Sequence, residues 1–348
     1  LNPTTKALIC LLSVSFFWKC RSSSPTPIRP AFFYWKTEIS ISDFEKRRLK
    51  LLKVNKLYVR LFDIDLDSPG GQPVPTAILE TGNAENDLAG FEMTGCVFIT
   101  SRVFGKGLSN PEILAQKTAA LLNDLGAKVP GGLPKSLLFD CDWTPTTRER
   151  FFLFLKKMGQ KMPAHTIAAT IRLHQFKFPD ETGVPPVQAG VLMCYNTGEL
   201  TEWATENSIL DSISLEKYLQ GSVGRYPLRL DVALPVFGWG VSFRDGVFFK
   251  ILNRLEPTQL LDNQVFEQIS ATRFLVKKAT IINGVYLHGG DLIRLEKPST
   301  ETIRQAVCEL NRLGLPDSDA PTIGFFDLDS TSMGGFSGQF FESIFQKK

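Results

Sequence analysis

The stretch SLLFDCDWTPTTRER, residues 136–150, is where the fold can be read. Leu137, Leu138 and Phe139 form an apolar run of strand length that stops abruptly at two acids, Asp140 and Asp142. Strand alternation puts both acids on one face and Cys141 on the other. Trp143, Thr144 and Pro145 follow, and a helical pattern begins at once. A strand that empties carboxylates into a turn and feeds a helix is one βα unit. Acids at the C-terminal end of such a strand stand where barrel enzymes keep their chemistry.

The same unit recurs along the chain. Near-continuous apolar runs predict strands at 31–37, 56–63, 93–100, 137–142, 166–174, 189–196, 228–235 and 322–328. Helical spacing separates most of them, and Asn110 followed by Pro111 supplies an N-cap with a first-turn proline for a helix running to Gly126. Apolar strands alternating with helices imply a parallel sheet covered on both faces, and eight of them close economically into a barrel. The expected fold class is therefore α/β, a (β/α)8 TIM barrel over 31–335. A small β-rich insertion, about 240–296, follows strand seven. An open doubly wound sheet is the competing architecture, but there is no GxGxxG after the first strand and no P-loop to cradle a phosphate.

Hydrophobic residues make up 43% of the 348 residues and charged ones 22%, ordinary for a folded domain of this length. A net charge of +3 with scattered Lys and Arg excludes the electrostatic footprint of a nucleic-acid binder. Six cysteines show neither CxxC nor metal spacing, so no disulfide framework, structural metal or cofactor is expected. Asp63, Asp65 and Asp67 resemble an oxygen-rich cation loop, but the Gly and distal Glu of an EF-hand are missing. At the N-terminus, Lys6 precedes the apolar run 7–18, which is too short for a membrane span and matches the h-region of an export signal. Residues 1–20 are read as a signal or lipoprotein-type segment with Cys20 as the lipidation site, and the Ser/Pro-rich 21–30 as a linker. The chain is thus expected to be exported to the cell envelope and held at a membrane through a lipid anchor.

Three strand ends together resemble glycoside hydrolase family 18, the chitinase-like barrels. Asp140-Cys141-Asp142-Trp143-Thr144 lies where that family carries D-x-D-x-E. Met193-Cys194-Tyr195-Asn196 fits its M-x-Y-[DN], and Ala233-Leu234-Pro235-Val236-Phe237-Gly238 echoes its G-L-P-x-x-G turn. The texture of FFYWKT and LYVRLFDIDLD is similar to an uncharacterised bacterial family, domain of unknown function 3142, and that likeness names no activity. The chitinase-like resemblance implies substrate-assisted hydrolysis, in which the last acid of the strand-four motif protonates the leaving oxygen and the middle Asp orients the acetamido group. Here the acid position is Thr144, whose hydroxyl is no proton donor near neutral pH. Thr144 before Pro145 also has the pattern of a helix N-cap.

The expected function is an exported glycoside-hydrolase-like barrel, a glycan-binding or catalytically degenerate member with a polysaccharide or oligosaccharide partner. The alternative is an active polysaccharide hydrolase using Asp140 and Asp142 as an acid/base pair, since neighbouring carboxylates push one another's pKa apart. Tyr195 and Asn196 offer donors and acceptors to sugar hydroxyls. Arg172 and His174 share a strand face that can meet the acids. Trp35, Trp143 and Trp239 sit near strand ends, where rings stack on sugars or fill the core. Asp231 is read as buried and structural. Asp327 closes the last strand as a groove-lining acid. Export is checked by mass spectrometry of native membranes: a diacylglyceryl-modified peptide starting at Cys20 is expected, and an intact 19–21 region would contradict lipidation.

Overall fold

A computed structural model describes residues 28–345 apart from 83–86, 130, 223, 225 and 319. The signal segment, Cys20 and most of the linker lie outside these residues. Eight parallel strands form the barrel: β1 (Arg29–Tyr34), β2 (Lys56–Leu66), β3 (Glu92–Ile99), β4 (Ser136–Asp140), β5 (Thr166–Arg172), β6 (Ala189–Met193), β7 (Leu230–Pro235) and β8 (Thr322–Phe326). Each pairs with the next, and β1 pairs with both β2 and β8, so the sheet closes and has no free edge. The expected α/β barrel is the observed fold.

Alternation along the strands divides the core in two. Ala31, Phe33, Tyr58, Cys96, Leu138, Ala168, Val191, Met193 and Ala233 fill the barrel, while the larger cluster packs between strands and helices. Phe33 and Tyr58 stack 4.4 Å apart with their planes 9° from parallel. Gly324 makes room for them, because a Cβ there would come within 2.9 Å of the Phe33 ring. Below this stack the interior is polar. Asp231 accepts hydrogen bonds from Lys56 Nζ (3.2 Å), Tyr58 Oη (3.0 Å), Ser318 Oγ (2.6 Å) and the Thr322 backbone N–H (3.0 Å). Burial, reinforced by Asp231, holds the Tyr58 phenol protonated well above its ordinary range. This network plugs the N-terminal end of the barrel, so Asp231 is structural as expected.

The helices of the outer layer start on local signals. Helix α1 (Asp43–Leu51) carries a capping box between Ser42 and Glu45, and α2 (Pro111–Gly126) has Asn110 accepting from two first-turn N–H groups. Helix α3 (Arg148–Lys161) begins later than the Thr144-Pro145 pattern predicts. Residues 144–147 form a turn, in which Thr147 N–H and Arg148 N–H both donate to the Thr144 carbonyl. Thr144 is therefore no N-cap. Its hydroxyl meets that of Thr146 at 2.9 Å on an exposed turn.

After β7 the chain leaves the barrel for a five-stranded antiparallel sheet, Trp239–Arg244, Val247–Asn253, Phe266–Gln268, Arg273–Val276 and Leu292–Glu296, with a separate hairpin at Thr280–Ile282 and Val285–Leu287. Leu252, Phe266, Phe274, Val276 and Ile293 give this sheet its own core. It returns to the barrel through α4 (Thr300–Arg312).

Replacing Asp231 by Ala strands the Lys56 ammonium, whose side chain is only 10% exposed, in the barrel floor. Asp231→Ala should therefore lose about 3 kcal/mol of stability in chemical denaturation. A loss under roughly 1 kcal/mol would contradict the plug.

Candidate functional site

At the opposite, C-terminal mouth lies a cleft of about 520 Å³, within the size range of small-ligand pockets. Trp35, Asp140, Arg172, Tyr195, Asn196 and Asp327 all line it. These residues come from the ends of β1, β4, β5, β6 and β8, which barrel closure brings to one rim.

The aromatic wall is continuous. Phe326 packs against Trp35 (5.2 Å between ring centroids), Phe237 (5.8 Å) and Tyr195 (6.0 Å), and Phe237 against Trp239 (5.3 Å). The Phe326–Asp327 peptide is cis. Trp239 is fixed from behind, because its Nε1–H donates to Glu296 Oε2 at 2.9 Å. Glu296 is itself buried and accepts from Ser208 Oγ (2.6 Å), Ser208 N–H (2.9 Å) and Arg294 Nε (2.5 Å). The inserted sheet is thereby locked to the loop after β6.

Three carboxylates line the cleft, and their partners differ. Arg60 holds Asp63 with two hydrogen bonds, Nε to Oδ1 at 2.7 Å and Nη2 to Oδ2. The same guanidinium donates to the Trp35 carbonyl at 3.3 Å and lies 5.7 Å from the Trp35 ring centroid, steadying the indole. Asp140 accepts on Oδ1 from Thr170 Oγ1 (2.7 Å) and Arg172 Nη2 (3.0 Å). Burial pulls the Arg172 pKa down, but Asp140 together with Tyr195, Asp142 and Cys141 outweighs it and holds the guanidinium charged beyond its ordinary range. Burial also pushes the Tyr195 phenol up, with Arg172 partly offsetting it, so Tyr195 enters the cleft as a donor.

Asp327 is different. It is 7% exposed, takes a hydrogen bond from Ser332 Oγ at 2.9 Å, and has no ion-pair partner among the described residues. Burial raises its pKa, the Ser332 bond works against this, and Asp329 adds to the rise.

Three sequence-predicted residues stand outside the cleft. The β4 ladder ends at Asp140, so the alternation that would align Asp142 with it stops, and Asp142 lies exposed on the following turn. Trp143 is 1% exposed, stacks on Phe151 at 5.5 Å and donates Nε1–H to the Thr182 carbonyl at 2.9 Å, a core ring under α3. A short helix starts at Leu173, directly after Arg172, and turns His174 to the surface.

Other residues of the cleft were not foreseen. Arg60 and Asp63 are three apart, which in a regular strand puts them on opposite faces. A register shift between Arg60 and Phe62 inserts the extra residue that brings both inward. Asn253 and Arg254 arrive from the inserted sheet, and Arg254 sits there in a left-handed backbone conformation with φ 54°. No pattern near either residue announces a place in the site. Of the cation-loop acids, Asp65 is held to a pKa of about 2 by Arg102, with Thr100 and a backbone N–H adding to it, and Asp67 accepts from the Gln72 N–H. Among the described residues no group of three His, Cys, Asp or Glu is placed to hold a metal ion.

No protein-family model matches the chain, and no curated protein matches its sequence. Solved structures do match in shape. The Bacillus cereus spore cortex-lytic enzyme SleL aligns with a TM-score of 0.56 at 14% identity, covering 92% of this chain and 74% of that one. The C-terminal domain of a candidate chitinase from Desulfitobacterium hafniense aligns at 0.53 and 10% identity, covering 92% of this chain and 100% of that one. At such identities the likeness establishes the fold, a barrel of the kind found in chitinase-like glycoside hydrolases.

Two measurements check the placement of these side chains. Trp143→Ala should cost about 4 kcal/mol by cavity formation, and Trp35→Ala less than half as much because that ring is half-exposed; equal losses would contradict the assignment. Asp327 binds its proton more tightly folded than unfolded. Its stabilising contribution is complete below the unfolded value near pH 4 and is lost as pH rises through the folded pKa. Asp327→Asn should therefore melt higher than the parent at pH 8, with the gap closing at pH 4. A gap that widens on acidification would reverse the sign.

Proposed function

We propose that the protein binds a polysaccharide or oligosaccharide in this cleft, as a glycoside-hydrolase-like barrel without the family's strand-four proton donor. The observation that carries the reading is the wall of Trp35, Phe326, Tyr195, Phe237 and Trp239 around ion-paired polar groups. Aromatic faces pack against the C–H faces of sugar rings, while Tyr195, Asn196, Arg172 and Asp140 offer donors and acceptors for hydroxyls. SleL, by name a spore cortex-lytic enzyme, and the candidate chitinase are similar in shape and support the same ligand class.

The geometry favours binding over hydrolysis by Asp140 and Asp142. Asp140 is engaged by Arg172 and Thr170, and Asp142 is exposed and does not line the cleft. At the motif's acid position, Thr144 offers only an alcohol. The proposal includes export through residues 1–20 and anchoring at Cys20 in the cell envelope, which rest on the apolar run and the cysteine after it. Placement in the domain of unknown function 3142 rests on FFYWKT and LYVRLFDIDLD.

The test is calorimetric titration of the protein with chitohexaose, peptidoglycan saccharide fragments and exopolysaccharide oligosaccharides. Trp35→Ala should weaken binding about tenfold and Tyr195→Phe about fivefold, whereas Asp142→Asn should leave it unchanged. Equal affinity in all three variants, or no binding by the parent, would overturn the reading.

A further inference from the structure

Among the carboxylates of the cleft, Asp327 alone is positioned to carry a transferable proton. Asp63 and Asp140 are each committed to a guanidinium. Asp327 has none, although Arg254 from the inserted sheet lines the same cleft and its charge bears on the carboxyl. The surroundings are apolar on one side, with Phe326 next in sequence and in ring contact with Phe237 and Tyr195. On the other side the chain supplies one uncharged partner. Asp329 caps the turn that follows, accepting from the N–H groups of Thr331 (2.9 Å) and Ser332 (3.3 Å). That cap sets Ser332 so that its hydroxyl reaches Asp327. Asp329 is thus spent on backbone, and Asp327 is left facing the cleft.

We propose, on the reading that the cleft holds a glycan, that Asp327 is the proton donor to the glycosidic oxygen, the task that Thr144 leaves unfilled on strand four. The Asp327 O–H bond breaks and its proton bonds to the glycosidic oxygen. The bond from that oxygen to the anomeric carbon breaks, with the electron pair staying on the leaving sugar. Water then adds to the anomeric carbon, and the proton it sheds returns to the Asp327 carboxylate. One water is consumed per bond cleaved, and the acid is restored. A largely buried aspartic acid with no ion-pair partner is suited to this because it keeps its proton more readily than a carboxylate held by a guanidinium. Ser332 is a positioning residue, since its hydroxyl favours the carboxylate form and so tunes where the acid titrates.

The experiment uses chitohexaose and peptidoglycan saccharide fragments, with affinity measured by calorimetry and products by mass spectrometry across pH 4–9. Asp327→Asn keeps the shape of the protonated acid. It should bind the cleaved probe within about threefold of the parent yet lose product formation by about a hundredfold or more. The parent's rate should fall on an alkaline limb, and Ser332→Ala should move that limb to higher pH, a readout available even if Asp327→Asn does not fold. Binding by the parent without cleavage of any probe would overturn this assignment and leave the glycan-binding reading standing. So would undiminished cleavage by Asp327→Asn, or an alkaline limb unmoved by Ser332→Ala. Absence of binding by the parent would overturn the glycan-binding reading itself.

Discussion

Strand β1 hydrogen-bonds on both sides, to β2 and to β8, and that closure is the constraint on which every other feature depends. Closing the sheet turns all its C-terminal strand ends toward one rim, so side chains from opposite ends of the chain, Trp35 and Phe326, come into ring contact. Closure also forces the interior to be filled. The stacked Phe33 and Tyr58 occupy its middle, a glycine on β8 yields the space, and the Lys56–Asp231 network seals the floor. A barrel blocked below and open above presents its chemistry at the top.

At that top the charges are sorted before any ligand arrives. Arg60 with Asp63 and Arg172 with Asp140 are short pairs in partly excluded water, where an unpaired charge would be costly. Pairing makes these groups rigid hydrogen-bonding surfaces. Asp327 escapes the sorting because its side-chain partner is a hydroxyl rather than a guanidinium. The inserted sheet is part of the same design. Through Glu296 it fixes the indole of Trp239, and through Asn253 and Arg254 it forms one wall of the cleft. The insertion therefore belongs to the site as much as the barrel does.

The barrel was legible in the sequence because its information is local: apolar runs of strand length, caps and helical spacing recur along the chain. Parts of the site were legible for the same reason, as with Asp140, Arg172, Tyr195 and Asp327 at strand ends. Strand alternation misleads past the last ladder bond. Counting in twos turns Asp142 and His174 inward, but the ladder stops at Asp140 and a helix starts at Leu173. Trp143 illustrates another limit, since an indole near a strand end packs equally well into core or cleft until the helix above it is placed. Arg60 and Asp63 depended on a bulge, and Arg254 on a long-range docking of the insertion. Neither leaves a periodic trace.

The central claim is that a glycan seats in the cleft with Asp327 beside it, and a crystal structure of the protein grown with chitohexaose tests it most directly. The expected result is density for sugar rings against Trp35 and Trp239, with a glycosidic oxygen within hydrogen-bond reach of the Asp327 carboxyl. Sugar bound on another face, or a cleft that holds none while the oligosaccharide is bound elsewhere, would contradict the account.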